Sequence, residues 1–107
     1  MAKPLGLTDA TFDQEVLQAE IPVLVDFWSP TCPHCRQLNP QYEAAAELQE
    51  GTVKFAKLAV PDGRQAFVQH AVMVVPTLVL FRDGEEIARS QGAMKADEIG
   101  SWLEDNL

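Results

Sequence analysis

The run "PVLVDFW" at residues 22–28 is apolar at every position but Asp26 and shows no alternation of apolar and polar side chains. A strand with one face in water alternates; a strand covered on both faces does not. This segment therefore belongs in the middle of a sheet, with packing above and below it. It is followed at once by "SPTCPHCRQLNP", which stops the strand and opens a helix. Pro33 suits a first helical position, where a missing N–H has no partner to lose. A covered strand running into a helix points to an α/β layered fold.

The other segments supply the layers. "GLTDATFDQEVLQAE" predicts a first helix, with Thr11 as its cap, Gln14 in capping-box position, and Phe12, Val16 and Leu17 as its apolar stripe. "KPLGL" before it is a candidate edge strand. The helix opened at Pro33 is expected to run to about Glu50, stop at Gly51 and kink at Pro40. "TVKFAKLAV" predicts a strand, and "PDGRQAFVQHAV" a turn and a short helix. "PTLVLFRDGEEIARSQG" reads as a hairpin around Asp83-Gly84. "KADEIGSWLEDNL" reads as a final amphipathic helix that buries Ala96, Ile99, Trp102, Leu103 and Leu107. The order is roughly (β)αβαβαββα. Residues 23–58 form a right-handed parallel crossover, and the hairpin is antiparallel. A central mixed β-sheet with helices on both faces satisfies both demands.

A chain of 107 residues fits one domain over 1–107, and 47% apolar residues suffice for a core. No apolar run is long enough to span a membrane, and the N-terminal residues lack the apolar core of a secretory signal. Sixteen Asp and Glu against eight Lys and Arg give a net charge of −8, which argues against nucleic acid and anionic membranes as partners. A monomer is expected.

Both cysteines of the chain, Cys32 and Cys35, lie in this strand-to-helix junction. Cys32 falls close to the helix N-cap, where free backbone N–H groups and the positive end of the helix dipole favour thiolate over thiol. The thiolate is the nucleophile of disulfide exchange. Cys35 lies one turn later on the same face, so a 32–35 disulfide can close. A purely structural disulfide across so short a loop constrains the unfolded chain little. Zinc wants four ligands, and a second pair is missing: His34 lies between the cysteines and His70 far off. The spacing therefore favours an exchange centre that needs no metal or cofactor beyond its own disulfide. A net disulfide oxidant or isomerase, a metal shared between two chains and a docking module without catalysis are the competing readings. Asp26 interrupts an apolar strand, and a buried carboxylate of that kind is a candidate for a reactive site with a raised pKa. Pro76, by itself, could be an ordinary strand-entry proline. His70 carries no motif and is taken as a surface residue; the three methionines form no identifiable site.

"VDFW", a C-x-x-C that opens a helix, Pro40 five residues after Cys35, "VVPTLVLFRDG" and the Gly92–Ala93 pair occur in one order. Together they resemble the thioredoxin family over essentially the whole chain. The resemblance implies a thioredoxin fold and thiol–disulfide exchange between Cys32–Cys35 and substrate protein disulfides, through a mixed disulfide on Cys32. It implies that Asp26 lies beneath Cys35 and aids its deprotonation, with Lys57 as the partner of Asp26. Trp28 is expected to pack against the reactive loop. Pro76 is expected to follow a cis bond, with Val74, Val75, Gly92 and Ala93 as an apolar docking patch beside Cys32. An electron donor of thioredoxin-reductase type, or another dithiol, and a cytoplasmic setting are the expected surroundings.

The chain departs from the family in three places. Ordinary thioredoxins read W-C-G-P-C; here Thr31 precedes the pair and Pro33-His34 fills it. The Pro-His insert is that of DsbA-type oxidants. A His in this turn can donate to the Cys32 sulfur, and stabilising the reduced form makes the disulfide a stronger oxidant. Thr31 removes a large aromatic from the docking surface. "LAVPDG" stands where the family carries an acidic stretch, so a standard thioredoxin reductase is not assumed as donor.

Overall fold

The computed structural model describes residues 3–107. Strand β1 (Leu5–Gly6) leads into α1 (Asp9–Phe12), which widens into a π-type turn over Asp13–Leu17. Strand β2 (Val23–Trp28), helix α2 (Pro33–Leu48) and strand β3 (Lys54–Ala59) follow. A 3₁₀ turn at Val60–Asp62 leads to α3 (Arg64–Gln69), then β4 (Thr77–Arg82), β5 (Glu85–Gln91) and α4 (Ala96–Asn106). The five strands lie in the order β1-β3-β2-β4-β5. β2 and β3 run parallel, as do β3 and β1, whereas β2–β4 and β4–β5 are antiparallel. The sheet is therefore mixed, and the non-alternating strand is at its centre as its composition requires.

Strand side chains alternate between faces, so β2 divides its residues between two cores. Val23, Val25 and Phe27 join Phe12, Val16, Leu58, Phe67 and Phe81 in the core under α1 and α3. Leu24 joins Leu38, Tyr42, Leu78, Leu80, Ile99 and Leu103 in the core under α2 and α4. Asp26 and Trp28 share the parity of Leu24 and so lie on the α2 side. Complete burial of such side chains stabilises the fold by about 1.5–3 kcal/mol each. Tyr42 ties the second core together: its hydroxyl lies 2.9 Å from the Leu24 carbonyl oxygen and 2.8 Å from that of Ala56, and its single proton is shared between these two acceptors. One side chain of α2 thereby spans β2 and β3.

Several local expectations are corrected. The cap of α1 is Thr8, not Thr11; Thr8 is extended (φ −134°), and its own N–H donates to Thr11 Oγ1 at 3.0 Å. Gln14 takes no part in that box and is exposed. Helix α2 ends two residues earlier than expected, with Gly51 beyond it at φ +86°. Leu107 lies past the last turn of α4 and is 42% exposed, so the helix buries Ile99 and Leu103 and only partly covers Ala96 and Trp102. The hairpin turns through Asp83 (φ 54°) and Gly84 (φ 81°), the two left-handed positions a tight two-residue turn requires.

His70 is half-buried, not the free surface residue expected. Its ring packs against Phe12 and Phe81, with centroids at 5.1 and 5.2 Å, and Arg89 Nη2 donates to its backbone carbonyl at 2.7 Å. Burial pushes its pKa below the usual value, against the pull of Glu86.

Gly63, between the 3₁₀ turn and α3, has no room for a side chain. A Cβ there would stand 2.4–2.5 Å from three carbons of the fully buried Leu58. Gly63→Ala is expected to cost about 1–3 kcal/mol by overpacking. Urea unfolding checks this through a lower midpoint at unchanged slope; a midpoint equal to the parent's would show that Leu58 gives way freely.

Candidate functional site

The site is assembled where β2 ends and α2 begins. Ser29–Thr31 turn the chain, and the Cys32 N–H donates to the Ser29 carbonyl at 3.2 Å. Arg36 Nη2 donates to the Pro30 carbonyl at 3.1 Å and braces the turn from the helix. Cys32 is the N-cap of α2, extended at φ −97°, ψ 115°, with Pro33 directly after it. Its sulfur accepts the Cys35 N–H at 3.2 Å. A sulfur is thus in the place that Ser or Asp usually takes at an N-cap, facing amides that favour a negative charge. Cys32 is partly exposed, and Cys35 is buried at 2% exposure; both are free thiols. Burial, then the hydrogen bond with Cys32, push the Cys35 thiol up to about 12. His34 is exposed, and the donor aimed at the Cys32 sulfur is the Cys35 amide.

Asp26 lies at mid-strand, 1% exposed, and its Oδ1 has no hydrogen-bond partner. Loss of hydration raises its pKa to about 7, with Lys57's positive charge opposing the rise. In the sheet Asp26 stands opposite Lys57 on β3 and Leu78 on β4. The expected partnership with Lys57 takes an altered form. The ammonium donates to Asn39 Oδ1 on α2 and lies 4.5 Å from the centroid of the Trp28 ring. It therefore acts on Asp26 as a neighbouring charge. Trp28 is half-buried, with this cation on its ring.

Across from the cysteines, the Val75–Pro76 bond is cis, and Cys32 Sγ approaches the Val75 carbonyl oxygen at 3.7 Å. Gly92 N–H donates to the Pro76 carbonyl at 2.9 Å, which brings the β5–α4 loop against this turn. Gly92 has φ +92°, a left-handed conformation that suits a residue without a Cβ. Val74 and Ala93 are exposed, Val75 and Gly92 are half-buried, and Thr31 is exposed on the opposite rim. A groove of about 280 Å³ starts at Ala93 and runs between α2 and the loop, past Gln37, Gln41 and Lys95.

Two residues near the site carry no sequence motif. Asn39 lies four residues after Cys35, hence on the same face of α2; an amide on that inward face opposite a strand lysine is the one available signal. Met73, 89% exposed, extends the apolar surface next to Val74. Among the described residues, no cluster of three or more His, Cys, Asp or Glu could hold a metal ion. No helix among them is long and apolar enough to cross a membrane.

The thioredoxin family model matches residues 3–105. The chain is 36% identical to thioredoxin 1 of Nostoc sp. over 107 residues, which is all of both chains. It is 34% identical to the thioredoxin of Pseudomonas aeruginosa over 96% of this chain and 95% of that one. It is 31% identical to the thioredoxin of Haemophilus influenzae over the full length of both.

Proposed function

The chain belongs to the thioredoxin family and is a thiol–disulfide oxidoreductase, and from that premise we propose how its own residues divide the work. Cys32 attacks a substrate protein's disulfide: a new S–S bond joins Cys32 to one substrate sulfur, and the other leaves as thiolate. Cys35 then attacks the Cys32 sulfur, closes the 32–35 disulfide and releases the second substrate thiolate. Two electrons pass from the pair to the substrate. The observation that carries this assignment is the contrast between the sulfurs: one is partly exposed and capped by an amide, the other buried.

The buried sulfur needs help. A thiol pushed up to about 12 is ionised to only about one part in 10⁵ near neutrality, since each pH unit is a factor of ten. Asp26, at about 7, is the acceptor suited to take that proton as Cys35 attacks, on the general-base principle that the acceptor's pKa should lie near the working pH. Val74, Val75, Gly92 and Ala93, with Thr31, form the docking rim. The backbone of Val75, whose carbonyl faces the Cys32 thiol, is placed to pair with an extended substrate segment, as in strand addition. Trp28 and Lys57 act beneath the loop. In a cytoplasmic setting the surroundings keep the pair reduced, so the protein, a monomer of one domain over 1–107, works chiefly as a reductant recharged by a thioredoxin-reductase-like or other dithiol donor. Cys35→Ser tests the assignment: the variant should accumulate a mixed disulfide with substrate on Cys32, and failure to trap one would sink it.

The insert sets the direction in which this protein differs from its relatives. With His34 in the first turn of α2, two residues from the capping Cys32, its positive form adds to the field that stabilises the reduced thiolate. The potential should therefore lie above that of ordinary thioredoxin, within the roughly 150 mV that separate thioredoxin from DsbA-type oxidants. Equilibration with glutathione measures it. Replacing the insert by Pro33→Gly with His34→Pro is expected to lower the potential by tens of millivolts, on the order of 30 mV per 1.4 kcal/mol. A parent potential at or below ordinary thioredoxin's would refute this.

A further inference from the structure

The ammonium of Lys57 has two attachments, and neither is Asp26. An ammonium has donors and no acceptor, so it is the oxygen of the Asn39 amide that meets it. The Trp28 ring takes a second side of the cation at 4.5 Å. Yet the strand register sets Lys57 directly opposite Asp26 on the next strand, and both side chains lie on the α2 side of the sheet. Asp26 Oδ1 is, among the described residues, the one buried side-chain polar atom without a hydrogen-bond partner. A cation and an unpaired buried acid are thus neighbours held short of an ion pair.

We propose that Asn39 is a positioning residue that keeps Lys57 off the Asp26 carboxyl, so that Asp26 remains a poised proton acceptor instead of a neutralised half of an ion pair. The cost of an unpaired buried acid is otherwise without explanation, because a cation stands directly opposite it in the strand register. Direct pairing would favour the carboxylate strongly and take from Asp26 the ability to hold a proton near neutrality. Asn39 removes that remedy by giving the ammonium a neutral acceptor. The other groups facing Asp26 do not supply a substitute partner. Cys35 and Tyr42 approach from α2, but the Tyr42 hydroxyl is spent on the Leu24 and Ala56 carbonyls, and no hydrogen bond joins the Cys35 thiol to Asp26 Oδ1. Leu78 on β4 is apolar.

This inference rests on the reading of Asp26 as the proton acceptor, and the test separates the two. The reduced protein is titrated by carboxyl NMR. Asn39→Ala, in mid-helix where alanine is favourable, should free Lys57 to reach Asp26 and lower the Asp26 midpoint by one pH unit or more, a tenfold change in proton affinity. Asn39→Asp, which keeps an acceptor in place, should leave Lys57 held and the midpoint high. In a Lys57→Met background, Asn39→Ala should no longer lower the midpoint. An unmoved or raised midpoint in Asn39→Ala, or an equal fall without Lys57, overturns the proposal. The pH profile of disulfide reduction should shift down alongside the midpoint. A midpoint that falls while the profile stays fixed supports the positioning by Asn39 and removes Asp26 as the acceptor.

Discussion

Replacing Cys32 with Ser is expected to reduce protein-disulfide reduction to the background rate, a loss of roughly three orders of magnitude or more, because a serine hydroxyl is not ionised near neutrality and cannot form the mixed disulfide. Insulin reduction with dithiothreitol as donor measures it. The geometry explains why no other group can take over. Cys35 is buried at 2% exposure, its thiol is held protonated, and substrate cannot reach it. Cys35→Ser should differ in kind: attack by Cys32 proceeds, and turnover stops one step later with substrate attached. Full activity in Cys32→Ser would show that exchange does not pass through the N-cap sulfur.

Asp26→Asn should stabilise the protein by about 4 kcal/mol at alkaline pH and by almost nothing near pH 4. The folded state raises this carboxyl from 3.8 to about 7, about three pH units at 1.36 kcal/mol each. The sign follows from proton binding. Between those values the folded chain holds a proton on Asp26 that the unfolded chain has lost, so the parent's stability falls as pH rises from about 4 through about 7 and then levels off. An amide of the same shape carries no charge to desolvate. Urea unfolding of both proteins between pH 4 and 9 provides the comparison. Curves that run parallel would mean that Asp26 ionises as readily inside the protein as outside. The same variant should resolve its mixed disulfide more slowly, so stability and rate change in opposite directions.

How much of this was legible depends on whether a residue's role is local. The centre of the sheet could be read from "PVLVDFW", because burial on both faces leaves its mark on every residue of the strand. The cysteine pair could be read for the same reason: three residues and a proline define the helix start that activates it. The hairpin was legible from Asp83-Gly84, which alone meet the backbone demands of the turn. Roles created by contact between distant segments were not. His70 is half-buried only because α1 and β4 bring Phe12 and Phe81 to it. Asn39 has its significance from a lysine 18 residues away on a neighbouring strand. Thr8 displaced Thr11 as the cap because the chain leaves β1 still extended, with Leu7 N–H donating to the Lys57 carbonyl at 2.8 Å, so the helix starts where that pairing ends.

The Tyr42 hydroxyl has a consequence for how the protein signals its state. By reaching β2 and β3 from α2, it pins the helix that carries Cys35 to the strands that carry Asp26 and Lys57. A helix so pinned resists sliding when a bond forms at its tip. Closure of the 32–35 disulfide is then expected to be felt mainly in the Ser29–Cys35 loop, and it is there that a donor or substrate would tell one redox state from the other.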